Sequence, residues 1–434
     1  MTEIATSAPA LAQRRSFRFH RNSTFVALLI GYMGYYLCRQ NYSEAYLPMK
    51  TALGMDKLTF GSIASFGTFL YAVGKFGTGA FADEQGGKRV FLLGLAGSVL
   101  FSALFGLSGG VIVFFGVWGL NRFFQSMGWG SLVNVMAQWF PPKEYGTAMG
   151  MMSVSYQFGG AVASVFAGGL LAAGVGWRGL FLIPALTLAA IGLCVRPFIV
   201  GSPKDVGYAI PVDPGTEPDA SDDTLTYWAR FRTVLAMPAF LIMCALSFDL
   251  TLIRECFTLW MPAYFADMGA SASVAAFKSS VFPLLGCLGT LFAGWYSDRR
   301  LDGRRGPIIA VMLVGLTLSL AGLSWVDPLA AAIHVERGIL GVALVAASGF
   351  FLLGPYSMVG GGVVALDFGG RRTAGTAAGL LDSAGYFAAT LGGFGVAQLV
   401  TSRGWGTTFL SMAVLSFVAI GLCYLARRAA PGRH

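Results

Sequence analysis

Arg39 and Arg254 lie in the middle of apolar runs long enough to cross a lipid bilayer, TFVALLIGYMGYYLCRQNYSEAYLP and FLIMCALSFDLTLIRECFTLWMPAYF. An arginine at bilayer depth costs about 2.5–3.5 kcal/mol on insertion scales, so it turns toward a wet cavity or a partner and acts there. Its guanidinium is a planar fork that fits two oxygens of a phosphate or carboxylate at once. Lys75, in YAVGKF, adds a third cation. Two guanidiniums and an ammonium suit a dianion such as a phosphate monoester better than a neutral sugar.

Helical residues three, four and seven apart are neighbours. Tyr32, Tyr36 and Arg39 therefore share one face, as do Tyr71 and Lys75, and Asp382 and Tyr386. Such polar stripes on apolar helices must face a cavity inside the bundle. A blander arrangement pairs each arginine permanently with a buried acid, for which Asp249, Glu255 and Asp382 are available, and uses the tyrosines only for packing. Glu255 directly follows Arg254, but adjacent helical residues diverge by about 100°, so the two need not pair. Glu44, near the end of its apolar run, is expected to be solvated.

Each of the two arginines is followed 44 residues later by an aspartate in a small-residue loop, Asp83 in GAFADEQGGKR and Asp298 in GWYSDRRLDGRR. Both pairs are offset by 215 residues, so the chain contains one unit twice; Gly146-Thr147 and Gly375-Thr376 repeat at an offset of 229. In the first loop the glycines let spans 2 and 3 approach, Asp83 caps or pairs at a helix end, and Lys88 and Arg89 face the cytoplasm. Asp298 with Arg304 and Arg305 repeats this as a structural latch.

The elements that position these residues follow from composition. The 434 residues are 55% hydrophobic and 12% charged, with mean hydropathy +0.66, against about 25% charged residues in a soluble domain. Apolar runs near 20 residues read as membrane-spanning helices, and barrel strands are far shorter. Twelve are expected, near 24–47, 59–82, 90–109, 112–138, 146–174, 178–198, 236–266, 272–297, 307–326, 337–366, 371–400 and 404–426. The 59 glycines suit tight helix packing in lipid. The fold expected is an all-α polytopic membrane protein, twelve helices in two pseudo-symmetric six-helix bundles.

The net charge of +9 is topological. Twenty of the 30 Lys and Arg fall in the N-terminal tail, the even-numbered loops and the C-terminal tail, which places both termini in the cytoplasm and argues against nucleic acid as a partner. The basic N-terminus precedes an apolar run too long for a signal peptide, so that run reads as a retained span. The six cysteines lie in or at the ends of spans without C-x-x-C, and the three histidines lie in tails or a loop. No disulfide, metal site or histidine relay is indicated, no cofactor is implied, and no nucleophile–base pair or nucleotide loop suggests an enzyme. Residues 201–227 carry five Asp, one Glu and four Pro, the composition of a flexible acidic linker. The expected organisation is a disordered cytoplasmic tail (1–20), an N-terminal bundle (21–200), a cytoplasmic linker (201–232), a C-terminal bundle (233–427) and a short tail (428–434), in a monomer within the cytoplasmic membrane.

YYLCRQNYSEAYLP, YAVGKF, FQSMGWG, SPKDVG, GWYSDRR and AGTAAGLLDSAGYF, in that order and across nearly the whole chain, resemble the organophosphate:phosphate antiporters of the major facilitator superfamily, whose two parallel six-span halves match the repeat. The resemblance implies that Arg39 and Arg254 occupy the places of two phosphate-binding arginines, that Lys75 replaces a site lysine, and that Tyr32, Tyr36, Tyr71 and Tyr386 line the site. Arg122, in GLNRFFQSMGWG, resembles the span-4 arginine of proton-coupled members, or else bonds local backbone. Several positions depart from the family pattern. Gln40 replaces a basic residue, Tyr156 a span-5 histidine, Leu259 an acid, Pro283 a glutamate and Leu353 a tyrosine, while Asp382 stands in place of a glycine. The anion-binding core is kept and its surroundings are rebuilt.

The function implied is uptake of a small phosphorylated or phosphonate anion in exchange for inorganic phosphate. One alternative keeps the fold and uses Asp249, Glu255, Asp382 or Arg122 for proton-coupled symport of a carboxylate or zwitterion, with Asp382 also able to hold a substrate amine. A second alternative is a transporter-like sensor of sugar phosphate.

Overall fold

The computed structural model describes residues 8–211, 232, 235–301, 305–360 and 363–429. Every regular element among them is helical. The first half contains α1 (Ala8–Glu44), α2 (Tyr46–Leu53), α3 (Lys57–Gln85), α4 (Gly87–Leu107), α5 (Val111–Trp139), α6 (Pro142–Ala172) and α7 (Gly179–Val195). A 3-10 turn at Pro203–Val206 follows. The second half contains α8 (Pro238–Asp267), α9 (Ala272–Ser279), α10 (Val281–Arg300), α11 (Arg305–Ser324), α12 (Val326–Ala332), α13 (Arg337–Gly360) and α14 (Val363–Ala429).

Among the described residues six stretches are apolar and long enough to cross a membrane on composition alone: Gly87–Leu107, Glu144–Ala172, Ala272–Arg300, Arg305–Ser324, Arg337–Val359 and Leu380–Leu425. The last holds two expected spans. As a straight helix the 67 residues of α14 would run about 100 Å, some three times the hydrocarbon core of about 30 Å. Gly404, with φ 77°, marks the turn between those spans. The remaining long helices, α1, α3, α5 and α8, are diluted by buried polar residues: Arg39, Gln40, Asn41 and Glu44 on α1, Thr68 and Thr78 on α3, Asn121, Arg122 and Gln125 on α5, Asp249, Arg254 and Glu255 on α8. The helices that fall short of uniform apolarity are those that line the centre.

Local signals set the boundaries. Asp56 caps α3 by accepting from Thr59 N at 2.7 Å, and that backbone donor holds its carboxyl below the usual range. Gly54 ends α2 with φ 64°, and prolines open α6 and α8. Two expected boundaries are corrected. Helix α1 begins at Ala8, well inside the segment expected to be a disordered tail, and Phe17 packs on Trp139 and Tyr208 at ring separations of 5.6 and 5.4 Å. The first part of the expected flexible linker is also ordered. Ser202 and Asp205 form a capping box, and Trp139 Nε1 donates to Val200 O at 2.8 Å. Most of the acidic segment, 212–231, lies outside the described residues.

The two bundles meet through two equivalent contacts. α3 packs on the first part of α14, and α6 packs on α9 and α10, which in span order pairs 2 with 11 and 5 with 8. α1 and α8 cross at the centre. The α3–α14 approach is backbone to backbone: a Cβ on Gly61 would meet Gly393 O at 2.5 Å, and one on Gly393 would meet Gly61 O at 2.3 Å. Ser65 reinforces it by donating to Thr390 O and accepting from Phe394 N at 2.8 Å. At the end bearing α2, Ser43 Oγ reaches Thr258 O at 2.9 Å and Leu259 O at 2.7 Å, Gln40 Nε2 donates to Thr258 O at 3.0 Å, and Lys57 pairs with Asp267 at 2.5 Å. These contacts seal that end.

The expectation that loop glycines bring spans 2 and 3 together is revised at Gly87, whose missing side chain admits Ser131 O and Asn134 of α5 instead. Gly393→Leu is expected to part α3 from α14. In a background without the six native cysteines, Ser43→Cys should resist a membrane-impermeant maleimide with Gly393 intact and label with leucine there. Equal labelling would show that the glycine contact does not seal this end.

Candidate binding site

Arg39, about one and a half turns before the end of α1, and Arg254, midway along α8, project from opposite bundles into the same point. Both are buried. Their Nη2 atoms donate to one phenol, Tyr386 Oη, at 3.4 Å from Arg39 and 3.1 Å from Arg254. Aromatic faces hold the guanidiniums. Arg39 Cζ lies 4.9 Å from the Tyr71 ring centre and 5.3 Å from that of Tyr36; Arg254 Cζ lies 4.7 Å from the Tyr356 ring. Such contacts stabilise a cation most where water is excluded. Arg254 Nε is buried with no acceptor, a donor left over for a ligand oxygen.

Helical divergence left the pairing of Glu255 with Arg254 open, and the structure forms it. Glu255 Oε1 accepts from Arg39 Nη2 at 3.3 Å and from Arg254 Nη2 in a short contact. The 100° between neighbouring Cβ directions does not separate two long side chains that both bend toward one cavity. The expected trication is also enlarged. Arg122 of α5 lies 4.7 Å from the Tyr71 ring on its guanidinium carbon and donates to Gln125 Oε1 at 3.3 Å, a side chain rather than local backbone. Gln125 is itself fixed by donating to Cys38 O at 2.8 Å.

Lys75 of α3 and Asp382 of α14 form an ion pair across the bundles at 2.5 Å, with the ammonium 5.3 Å from the Tyr386 ring. Four cations (Arg39, Arg122, Arg254, Lys75) face two carboxylates (Glu255, Asp382), leaving a net charge of +2 at the centre.

Three cavities surround this cluster. One touches Arg39, Arg122 and Glu255 and reaches toward the sealed end. A second adds Tyr156, Gln157 and Pro283 beside both clamp arginines. The third lies on the opposite side and is walled by Tyr32, Tyr36, Tyr71, Trp129, Tyr156, Tyr356 and Tyr386, with Lys75, Asp382 and Arg254 among them. The stripes expected on spans 1, 2 and 11 thus meet in one place, Tyr32 and Tyr36 facing Tyr71, Tyr156 and Tyr386.

Other candidates stand apart. Asp249 is buried on α8 but lines none of these cavities. Glu44, expected in solvent, is buried: its Oε1 accepts from Ser164 Oγ of α6 at 2.7 Å and its Oε2 has no partner. The chain continues into α2 immediately after it, which covers the end of α1. Lys88, Arg89 and Asp298 sit at helix ends far from the cluster, Arg89 and Asp298 exposed. The side chain of Asp83 lies outside the described residues, so its latch role is untested.

Tyr356, Trp129 and Gln157 were not singled out by sequence. Tyr356 follows Pro355 on α13 and is the one tyrosine of that span, a signal comparable to those read on spans 1 and 2. Gln157, which donates to Thr290 Oγ1 at 2.8 Å across the bundles, gave no such signal.

The family model described as Major Facilitator Superfamily matches residues 28–393. A probable hexose phosphate transport protein of Chlamydia pneumoniae is 28% identical over 425 residues, covering 94% of this chain and 91% of its own. The hexose-6-phosphate:phosphate antiporter of Escherichia coli K12 is 27% identical over 431 residues, covering 93% and 89%. Among solved structures, a bacterial homologue of the human lysosomal transporter Spinster superposes with a TM-score of 0.73 at 16% identity, covering 95% of this chain and 99% of that one. The doubled six-helix architecture around a central cavity and the extent of the family match lead to one assignment: the chain belongs to the Major Facilitator Superfamily.

Proposed function

We propose that this protein carries a small organic phosphate or phosphonate across a bacterial cytoplasmic membrane in exchange for inorganic phosphate. The observation that carries the reading is the convergence of Arg39 and Arg254, one from each bundle, on the same phenol and the same carboxylate oxygen. A phosphate placed between them is held by both halves at once, and its charge of about −2 matches the net +2 of the cluster. The aromatic chamber on the side of Lys75 and Asp382 receives the organic part.

Alternating access follows from the two equivalent interfaces. The sealed end is closed by α1, α2 and α3 against α8 and α14, and rocking of one bundle against the other about Arg39 and Arg254 exposes the site to either side. In this reading both termini are cytoplasmic and the protein acts as a monomer. The sites at Lys75, Tyr32, Tyr36, Tyr71, Tyr156, Tyr386 and Asp382 contact ligand, and Arg122 and Glu255 set its charge environment.

Arg39→Lys and Arg254→Lys are each expected to lower exchange roughly 100-fold, within the 2–5 kcal/mol that loss of a desolvated charge contact costs. The assay is uptake of labelled sugar phosphate into phosphate-loaded proteoliposomes with no pH gradient. Near-normal uptake by either variant, or no wild-type uptake until a gradient is imposed, would overturn the exchange clamp. The Lys75–Asp382 pair makes a separate prediction for purified protein. Asp382→Asn should lower the thermal midpoint, because one buried charge left alone costs about 3–5 kcal/mol, while Lys75→Met with Asp382→Leu should recover most of it. Additive losses would show that the pair contributes nothing.

A further inference from the structure

The clamp already holds an anion, and the chain supplies it. Glu255 Oε1 sits between Arg39 and Arg254, in the position a ligand oxygen would take, on a side chain with 11% exposure. Glu255 follows Arg254 directly on α8, so this carboxylate is tethered and does not diffuse away when the site empties. A second cation stands ready for it. Arg122 lines the same cavity as Glu255 and Arg39, and among the described residues it has no carboxylate within ion-pair distance; it donates to neutral Gln125.

In an exchanger governed by two facing arginines, the empty protein cannot close, because the bare guanidiniums repel at close range in a poorly screening interior. Bound phosphate removes that repulsion, and so each half-cycle requires ligand. A tethered carboxylate removes part of it without ligand. Building on the exchange reading, we propose that Glu255 is an internal stand-in for the ligand phosphate, so that the empty protein also reorients and transport comprises exchange together with net one-way flux. Arriving phosphate displaces Glu255 from the clamp toward Arg122, so the same residue competes with ligand and weakens its apparent affinity.

The test uses full-length protein in liposomes loaded with radiolabelled inorganic phosphate. Efflux is measured into phosphate-free buffer and into buffer containing unlabelled phosphate. Wild-type efflux without external phosphate is expected within about tenfold of the exchange rate. Glu255→Gln is expected to lower the ratio of net efflux to exchange by about tenfold or more, and to lower the phosphate concentration giving half-maximal exchange. Wild-type protein that exchanges readily but loses no label into phosphate-free buffer would overturn the proposal and leave the exchange reading standing. So would a Glu255→Gln ratio equal to wild type. Absence of flux under both conditions would instead overturn the exchange reading, and this proposal with it. If Glu255→Gln does not fold, the wild-type comparison of the two buffers decides alone.

Discussion

The meeting of Arg39, Arg254 and Glu255 at one oxygen brings both halves of the protein to a single electrostatic balance point. Charges at bilayer depth are tolerated only where partners, ring faces or water compensate them. Here the compensation is shared. Tyr36, Tyr71, Tyr356 and Tyr386 present faces or hydroxyls to the cations, and Asp382 reaches across to Lys75. The surplus of positive charge then sets what the cavity attracts. The polar residues that dilute α1, α5 and α8 serve this balance, while the outer helices α4, α7 and α11 remain apolar.

Around that point the packing within a bundle differs in kind from the packing between the bundles. Within each bundle helices pack along their length, as α4 does on α5 and α11 on α14. Between the bundles α3 packs on α14 as extensively as α11 does, and the contacts include polar groups: Ser43, Gln40 and Ser65 on backbone carbonyls, Gln157 on Thr290, and glycine against glycine at 61 and 393. A few hydrogen bonds and bare backbone contacts are exchanged for water at a modest cost each, so such an interface is suited to parting and re-forming.

The fold was legible in the chain because membrane burial writes itself in long apolar runs, and duplication in the 215-residue offset between Arg39 and Arg254. The stripes at Tyr32, Tyr36 and Arg39, and at Tyr71 and Lys75, were readable for a similar reason: helical period fixes which residues share a face. What helical period does not fix is where a long flexible side chain ends. The angle between neighbouring residues left open whether Glu255 pairs with Arg254, and the side chain bends to meet it. Glu44 was placed in solvent by its position in the run, yet is covered by a helix that begins two residues later. Arg122 joined the cluster through packing of α5 against α1 and α3, a tertiary relation that a single span does not encode.

The bond between Arg39 and Glu255 joins residues 216 apart in sequence. At about 5–20 residues per second of synthesis, Arg39 enters the bilayer roughly 10–40 seconds before its carboxylate partner exists. The first bundle must therefore harbour an uncompensated cation during biogenesis. Tyr71, only 32 residues further on, and the ring of Tyr36 one turn away are the partners available in that interval. The aromatic residues of the central chamber thus have an earlier task, sheltering a lone guanidinium in a half-made protein.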